Sequence, residues 1–156
     1  GVTGVQTCAL PIYNDIANNS IYGKLYNWYA VNDSRGLAPI GWHIPTYNET
    51  LTLKSYLTST YTESPGNSMK EVGTVHWTFD SGTTNKSCFT ALPGGFRGGG
   101  IFSDFMYIGE DGHWWTSTIS NDGVSSPGFM LRNSESTLSY MNNKFAFGKS
   151  VRLVKD

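Results

Sequence analysis

The feature that most constrains this chain is the change in its pattern after residue 64. Beyond Ser64-Pro65-Gly66, helical spacing of apolar residues gives way to short segments separated by Gly, Asn and Ser. Such segments are typical of short strands joined by turns. The predicted strands are 87–92, 112–118, 128–133, 136–141 and 150–154.

Two helices are predicted before this change. The sequence from Thr46 to Glu49 has the form of a capping box, in which each side chain can bond the backbone N–H of the other residue. Apolar residues that follow it indicate a helix ending near Thr60. The 3, 4 spacing of apolar residues also favours a helix over 20–31, although Gly23 weakens that prediction. Helices followed by strands predict one α+β domain.

Composition excludes several classes of protein. The 156 residues suit one domain, and the net charge of −1 offers no basic field for nucleic acid. Charged residues reach only 15% while aromatic residues reach 14%, which is the reverse of a disordered composition. No apolar run is long enough for a transmembrane segment, and the first residues do not resemble a signal peptide.

Residues 2–12, VTGVQTCALPI, resemble the translation of a sequencing-library adapter. We therefore expect residues 1–12 to be an artefact that packs poorly and lies outside the fold. The natural domain is expected over 13–156, with its upstream part missing. Cys8 lies in this segment, so we assign it no function.

Several motifs in a fixed order resemble the Fibrobacter succinogenes major paralogous domain family. They are GKLYNWYAVND at 23–33, GLAPIGWHIPT at 36–46, MKEVGTVHW at 69–77, FTALPGGFR at 89–97, HWWTST at 113–118 and SVRLVKD at 150–156. The family is similar to C-type-lectin-like proteins that include the formylglycine-generating-enzyme group. The resemblance implies two helices flanking a small twisted antiparallel sheet. It also implies a secreted or surface-attached bacterial protein, often a lipoprotein, with no activity established for the family as a whole.

The chain departs from the family pattern in four respects. Strands expected upstream of Tyr13 are missing, and Thr50 stands where the second helix commonly has Trp. Leu153 replaces a frequent Cys, and Cys88 replaces a small residue. These departures leave Cys88 without an obvious disulfide partner.

Few residues suggest catalysis or metal binding. His43, His76 and His113 are far apart in sequence, and each is expected to bond a backbone group beside an aromatic core. Cys88 is the only credible thiol and is expected to be a small buried hydrophobe within a strand. We expect no cofactor, with calcium left open at 80–85 or at Asp104 with 110–111, where Asx-turns are the alternative.

Aromatic residues are expected to build the core. The predicted core members are Trp28, Trp42, Leu53, Leu57, Phe89, Leu92, Trp114 and Val151. Neighbouring residues on a strand face opposite ways, so one of Trp114 and Trp115 should point out of the core.

The segment 119–149 differs from the rest because Asn, Ser, Tyr and Gly predominate, as they do in binding loops. A plain solvated hairpin is the alternative. The predicted contacts are Trp115, Arg132, Asn133, Tyr140, Asn142 and Asn143. We therefore expect a monomeric extracellular recognition module for a glycan or surface protein, without enzymatic activity. A structural envelope or spacer module, and an enzyme related to the formylglycine-generating group, are the alternatives.

Overall fold

The computed structural model describes residues 9–101 and 103–156 and shows an α+β protein. Its helices are α1 (Asn19–Tyr22), α2 (Trp28–Val31), α3 (Tyr47–Thr60) and α4 (Pro65–Met69), with 3-10 turns at Ile12–Asn14 and Ile16–Asn18. The strands are β1 (Ala9–Pro11), β2 (Lys24–Tyr26), β3 (Trp42–His43), β4 (Phe96–Arg97), β5 (Phe105–Met106), β6 (Asp111–Trp115), β7 (Ser125–Arg132), β8 (Ser139–Lys144) and β9 (Val154–Lys155). The described residues contain no helix that is both long and apolar enough to cross a membrane.

The longest helix begins where the capping box predicts. The Thr46 hydroxyl accepts a hydrogen bond from the Glu49 N–H at 3.3 Å, and a Glu49 carboxylate oxygen accepts one from the Thr46 N–H at 2.7 Å. These bonds satisfy two N–H groups at the helix start. The predicted second helix is therefore confirmed, and α3 ends at Thr60.

The continuous helix predicted over 20–31 is wrong. Gly23 has a φ of 76° and ends α1, because this left-handed region suits glycine and cannot continue a helix. The side chain of Asn27 then accepts a hydrogen bond from the Ala30 N–H and starts α2. Between the two helices, β2 pairs with β1 in an antiparallel ladder.

The main sheet is antiparallel, with strand order β6-β7-β8. Its register places Trp114 opposite Phe129 and Phe129 opposite Tyr140. The predictions at 112–118, 128–133 and 136–141 thus locate three real strands, with shifted ends. The prediction at 87–92 is wrong, because positive φ angles at Cys88 (56°) and Thr90 (51°) fold that segment into turns.

Two core clusters lie on opposite faces of β6. The first core cluster contains Trp114, whose ring stacks on Phe129 with 5.2 Å between centroids. The second core cluster contains Trp115 together with Trp28, Val31 and Ile44. Both tryptophans are buried, so the expectation that one points out of the core is wrong. They do face opposite ways, but the chain covers both faces of the strand.

The remaining core predictions divide by depth. Trp28, Leu57 and Trp114 are buried as expected. The partly buried members are Leu53, Phe89, Leu92 and Val151. The prediction that Trp42 belongs to the core is wrong, since 43% of its surface is exposed.

Residues 9–12 are part of the fold, contrary to expectation. Residues 9–11 pair with β2, and Ile12 is 0% exposed. Ile12 packs against the turn at Gly94, where an added Cβ would lie only 3.0 Å from Ile12 Cδ1. For residues 1–8 the expectation of poor packing stays untested, because they lie outside the described residues.

Two lysines, Lys70 and Lys149, are buried inside the protein. Lys70 follows α4, and its ammonium donates hydrogen bonds to Ser81 Oγ and to the carbonyls of Arg132 and Glu135, at 2.7, 2.9 and 2.8 Å. The Lys149 ammonium instead lies 4.4 Å from the centroid of the Trp115 ring. Neither lysine was predicted to be buried. The Lys70 ammonium also lies over a ring, 5.5 Å from the Trp77 centroid, so its three oxygen acceptors are what distinguish its surroundings.

Candidate functional site

A large open groove of about 820 Å³ lies between α3 and the C-terminal segment. One wall comes from the first half of α3, and the opposite wall comes from residues 151–154. Its size suits a drug-sized ligand or a short piece of polypeptide. The lining residues are Trp42, Pro45, Glu49, Thr50, Thr52, Leu53, Cys88, Phe89, Phe129 and 151–154.

The Glu49 carboxylate in the groove wall already has hydrogen-bond partners within the protein. Glu49 accepts from the Thr46 backbone, and this bond is the main cause that lowers the pKa of its carboxyl group. Its other oxygen lies 2.8 Å from His43 Nε2, while His43 Nδ1 lies 2.6 Å from Asp156. Asp156 first and Glu49 second raise the pKa of His43. Glu49 thus bonds the start of α3 and the His43 side chain of β3.

Arg152 is the cationic group of the groove. Its guanidinium lies 4.5 Å from the Phe89 ring centroid and donates a hydrogen bond to the Phe89 carbonyl. Desolvation lowers its pKa, though an arginine remains charged at any ordinary pH. No carboxylate of the described residues forms an ion pair with Arg152. Arg152 is exposed overall, but one side of its guanidinium is covered by the Phe89 ring. The groove therefore presents a cation that no described carboxylate pairs with.

Trp42 forms part of the rim instead of the core. It belongs to β3, which pairs only with the two-residue β9 among the described strands, so little of the fold covers it. An exposed tryptophan beside an apolar concavity is typical of a contact residue.

Cys88 also lines the groove, and its expected burial in a strand is wrong. It is an exposed free thiol on the turn that precedes Phe89. The positive φ of Cys88 turns the chain at this point, so the apolar neighbours in sequence gave a misleading signal.

The predicted contact Trp115 is not at a surface. It is 0% exposed, and its indole Nε1 donates a 2.7 Å hydrogen bond to the Tyr26 carbonyl. Trp115 is therefore a structural residue, and its assignment to the binding surface is wrong.

Tyr140 and Asn142 do come together. They line a separate depression of about 450 Å³ with Tyr47, whose ring meets that of Tyr140 edge-on at 5.1 Å. Tyr140 is partly buried against the first core cluster, and its hydroxyl donates to the Thr50 carbonyl at 3.0 Å. Burial raises the pKa of Tyr140. This ring supports α3 as well as lining the depression.

Arg132, Asn133 and Asn143 do not join that depression. Arg132 pairs with Glu135 at 2.9 Å, at the opposite end of β7 from Pro127, the partner of Asn142. At ~3.4 Å per residue, five residues of strand separate the two ends by about 17 Å. Asn133 donates to Thr78, and the Oδ1 of Asn143 is buried without a partner. The six predicted contacts therefore do not form one surface.

The histidines lie in different surroundings. His76 lies 2.9 Å from a Glu71 oxygen, and His113 is 3% exposed beside Asp111. Burial lowers the pKa of His113. Among residues 9–101 and 103–156, no three His, Cys, Asp or Glu side chains are grouped to hold a metal. At the first calcium candidate, Asp80 accepts from the N–H groups of Gly82 and Thr83, as in an Asx-turn.

Comparison with protein families agrees with the motifs. The Fibrobacter succinogenes major domain matches residues 6–155. The chain belongs to this family. Searches with this chain match neither a curated protein nor a solved structure. The family match contains every residue that lines the groove.

Sequence reasoning missed most of the groove. Glu49 was assigned only to the capping box, and Arg152 and Leu153 only to a strand and to the family motif at 150–156. The available signal was the polar, charged residue between apolar neighbours in 151–154. It could not show that these residues face α3, since contacts that distant in sequence depend on the tertiary fold.

Proposed function

We propose that this member of the Fibrobacter succinogenes major domain family is a non-catalytic recognition module that binds a polypeptide partner in the groove. The observation that carries the proposal is the open apolar concavity with Trp42 at its rim and Arg152 in its wall. Large exposed apolar areas in a folded chain commonly mark interaction sites.

A polypeptide suits this groove better than a glycan. The lining is mostly aliphatic or aromatic, including Leu53, Phe129 and Val151. Apolar side chains of a protein partner could fill such a space, whereas sugar hydroxyls would lose their hydrogen bonds to water there. A glycan is the second candidate, favoured only at the more polar depression around Tyr140 and Asn142.

Absence of catalysis is part of the proposal. His43 and Glu49 bond each other and stabilise local structure, which supports a structural role for both. A spacer module would need no half-exposed Trp42, and an enzyme would need convergent titratable groups within its cavity. These considerations favour recognition over both alternatives.

A C-type-lectin-like arrangement and a secreted or surface location complete the proposal. The family resemblance supports both. The long helix α3, packed beside the antiparallel sheet β6-β7-β8, is compatible with the proposed arrangement.

Blocking the groove after folding tests the function. In a Cys8→Ser background, Cys88 would be coupled to a bulky maleimide, which adds volume inside the groove without disturbing folding. A random heptapeptide display library and a glycan array would be screened on free and blocked protein. We expect peptides that bind free protein and lose at least tenfold in affinity on blocked protein.

The control places the same maleimide elsewhere. A Ser134→Cys substitution in a Cys8→Ser, Cys88→Ser background puts it on an exposed turn that does not line the groove. Peptide binding should survive this modification. Failure to select any peptide whose binding depends on the groove would overturn the proposal. Glycan binding that Tyr140→Ala abolishes and groove blocking leaves intact would support the second candidate instead.

A further inference from the structure

The C-terminal wall of the groove has an unpaired stretch of backbone. Residues 148–150 form bridges to Arg97, Tyr26 and Trp114, and residues 154–155 pair with β3. Between them, no backbone hydrogen bond joins residues 151–153 to any described residue. These three residues line the groove and none of them is buried, so their backbone groups are left without a partner from the fold.

Resting on the proposed function, we propose that the partner binds as an extended strand along residues 151–153, with one of its carboxylates paired to Arg152. Strand addition uses backbone hydrogen bonds for affinity and side-chain spaces for selectivity. An unpaired segment between two paired ones is a ready template for that mode.

The apolar lining fits the side chains of such a strand. Alternate side chains of an extended segment point to one side, toward Leu53, Phe89 and Phe129. Intervening side chains point outward, where Trp42 can cover one of them at the rim. The partner would therefore show apolar residues at every second position.

Arg152 determines the charge of the partner. Its guanidinium lies over the Phe89 ring and is otherwise exposed to the groove, so a carboxylate could reach it and gain a charge-assisted hydrogen bond. Glu49 does not supply this anion, because Thr46 and His43 already hold its two oxygens. An acidic residue in the strand provides the missing charge.

Three measurements on a groove-dependent peptide from the heptapeptide library test the inference. Amide hydrogen exchange at residues 151–153 should slow when the peptide binds. Methylating alternate backbone nitrogens of the peptide should weaken binding at least tenfold, because each methyl group removes a hydrogen-bond donor. Replacing its Glu or Asp by the matching amide should also cost about tenfold, as expected for a charge-assisted bond.

Arg152→Met tests the ion pair separately. This variant should bind the acidic peptide and its amide form equally well, because the guanidinium that distinguishes them is gone. Arg35→Met, at an exposed arginine paired with Asp33, is the control and should leave the tenfold difference unchanged.

The outcomes separate the two proposals. If selected peptides need the groove but leave exchange at 151–153 unchanged, or have apolar residues at helical spacing, strand addition is overturned while peptide recognition stands. If Arg152→Met weakened the binding of both peptide forms by the same factor, the tenfold difference between them would persist and the ion pair would be overturned. If no peptide depends on the groove, both proposals fail together.

Discussion

At the scale of single residues, the two buried lysines show how surroundings decide the effect of a charge. Burial lowers the pKa of Lys70 to about 8 and that of Lys149 to about 7. Both ammonium groups lie over a tryptophan ring, but Lys70 also has three oxygen acceptors that compensate for lost water. Replacing the two ammonium groups should therefore change stability in opposite directions.

Lys149→Met should stabilise the protein by about 1–3 kcal/mol at pH 7, because it removes a desolvated charge and keeps the apolar stem. A lysine with a lowered pKa in the folded state binds fewer protons there than in the unfolded state. The free energy of unfolding should consequently rise between pH 7 and pH 10, the range from the folded toward the unfolded pKa. Urea unfolding across this range should show a smaller rise in the variant. The exposed Lys155→Met is the control, and a variant with the wild-type pH slope would contradict the assignment.

Lys70→Met should destabilise the protein by about 2–4 kcal/mol, because Ser81 Oγ and two carbonyls lose their donor in a buried site. The measurement is the same urea unfolding at pH 7. Stabilisation by this substitution would show that the three hydrogen bonds do not offset the cost of burying the ammonium.

At the scale of elements, local hydrogen bonds decide where the helices begin and end. The Thr46 and Glu49 pair starts α3, and Gly23 with Asn27 divides the predicted first helix into α1 and α2. The helix wall of the groove therefore depends on Thr46 and Glu49 at the start of α3.

Thr46→Ala should reduce the free energy of unfolding by about 1 kcal/mol, because the helix loses the acceptor for the Glu49 N–H. Thermal or urea unfolding measures the loss. Thr58→Ala, on an exposed turn of the same helix, serves as the control and should change stability by less than about 0.5 kcal/mol. Equal effects from the two substitutions would rule out a specific contribution of the cap.

At the scale of the whole molecule, distant segments are packed on both faces of the main sheet. The second core cluster brings Trp28 and Ile44 from the first third of the chain against Trp115. Residues 9–12 join this assembly through the ladder of β1 with β2 and through buried Ile12. The segment near the start of the chain therefore contributes to stability.

Ile12→Ala should cost about 2–4 kcal/mol, the range for emptying a fully buried aliphatic site. Ile16→Ala is a matched control, since that isoleucine is 78% exposed and should contribute little. Denaturation midpoints of the two variants give the comparison. If Ile12→Ala were as mild as the control, the original expectation of poor packing near residue 12 would be restored.

By itself, the sequence determined those features that depend on neighbouring residues or on strand periodicity. The capping box of α3 uses side chains three residues apart, and the strands near 112–118 and 128–133 follow from apolar and aromatic runs. The ordered motifs from Gly23 to Asp156 also determined the family. In each case the physical cause acts locally or repeats along the chain.

Only the tertiary structure decided which surfaces are covered. Trp115 is buried because Trp28 and Ile44 pack on its face of β6, and Trp42 is exposed because the short β3-β9 pair leaves it uncovered. The groove needs α3, Phe89 and residues 151–154 side by side. Burial depends on neighbours brought together from distant parts of the chain. Composition alone therefore predicted one binding surface from residues that the fold separates.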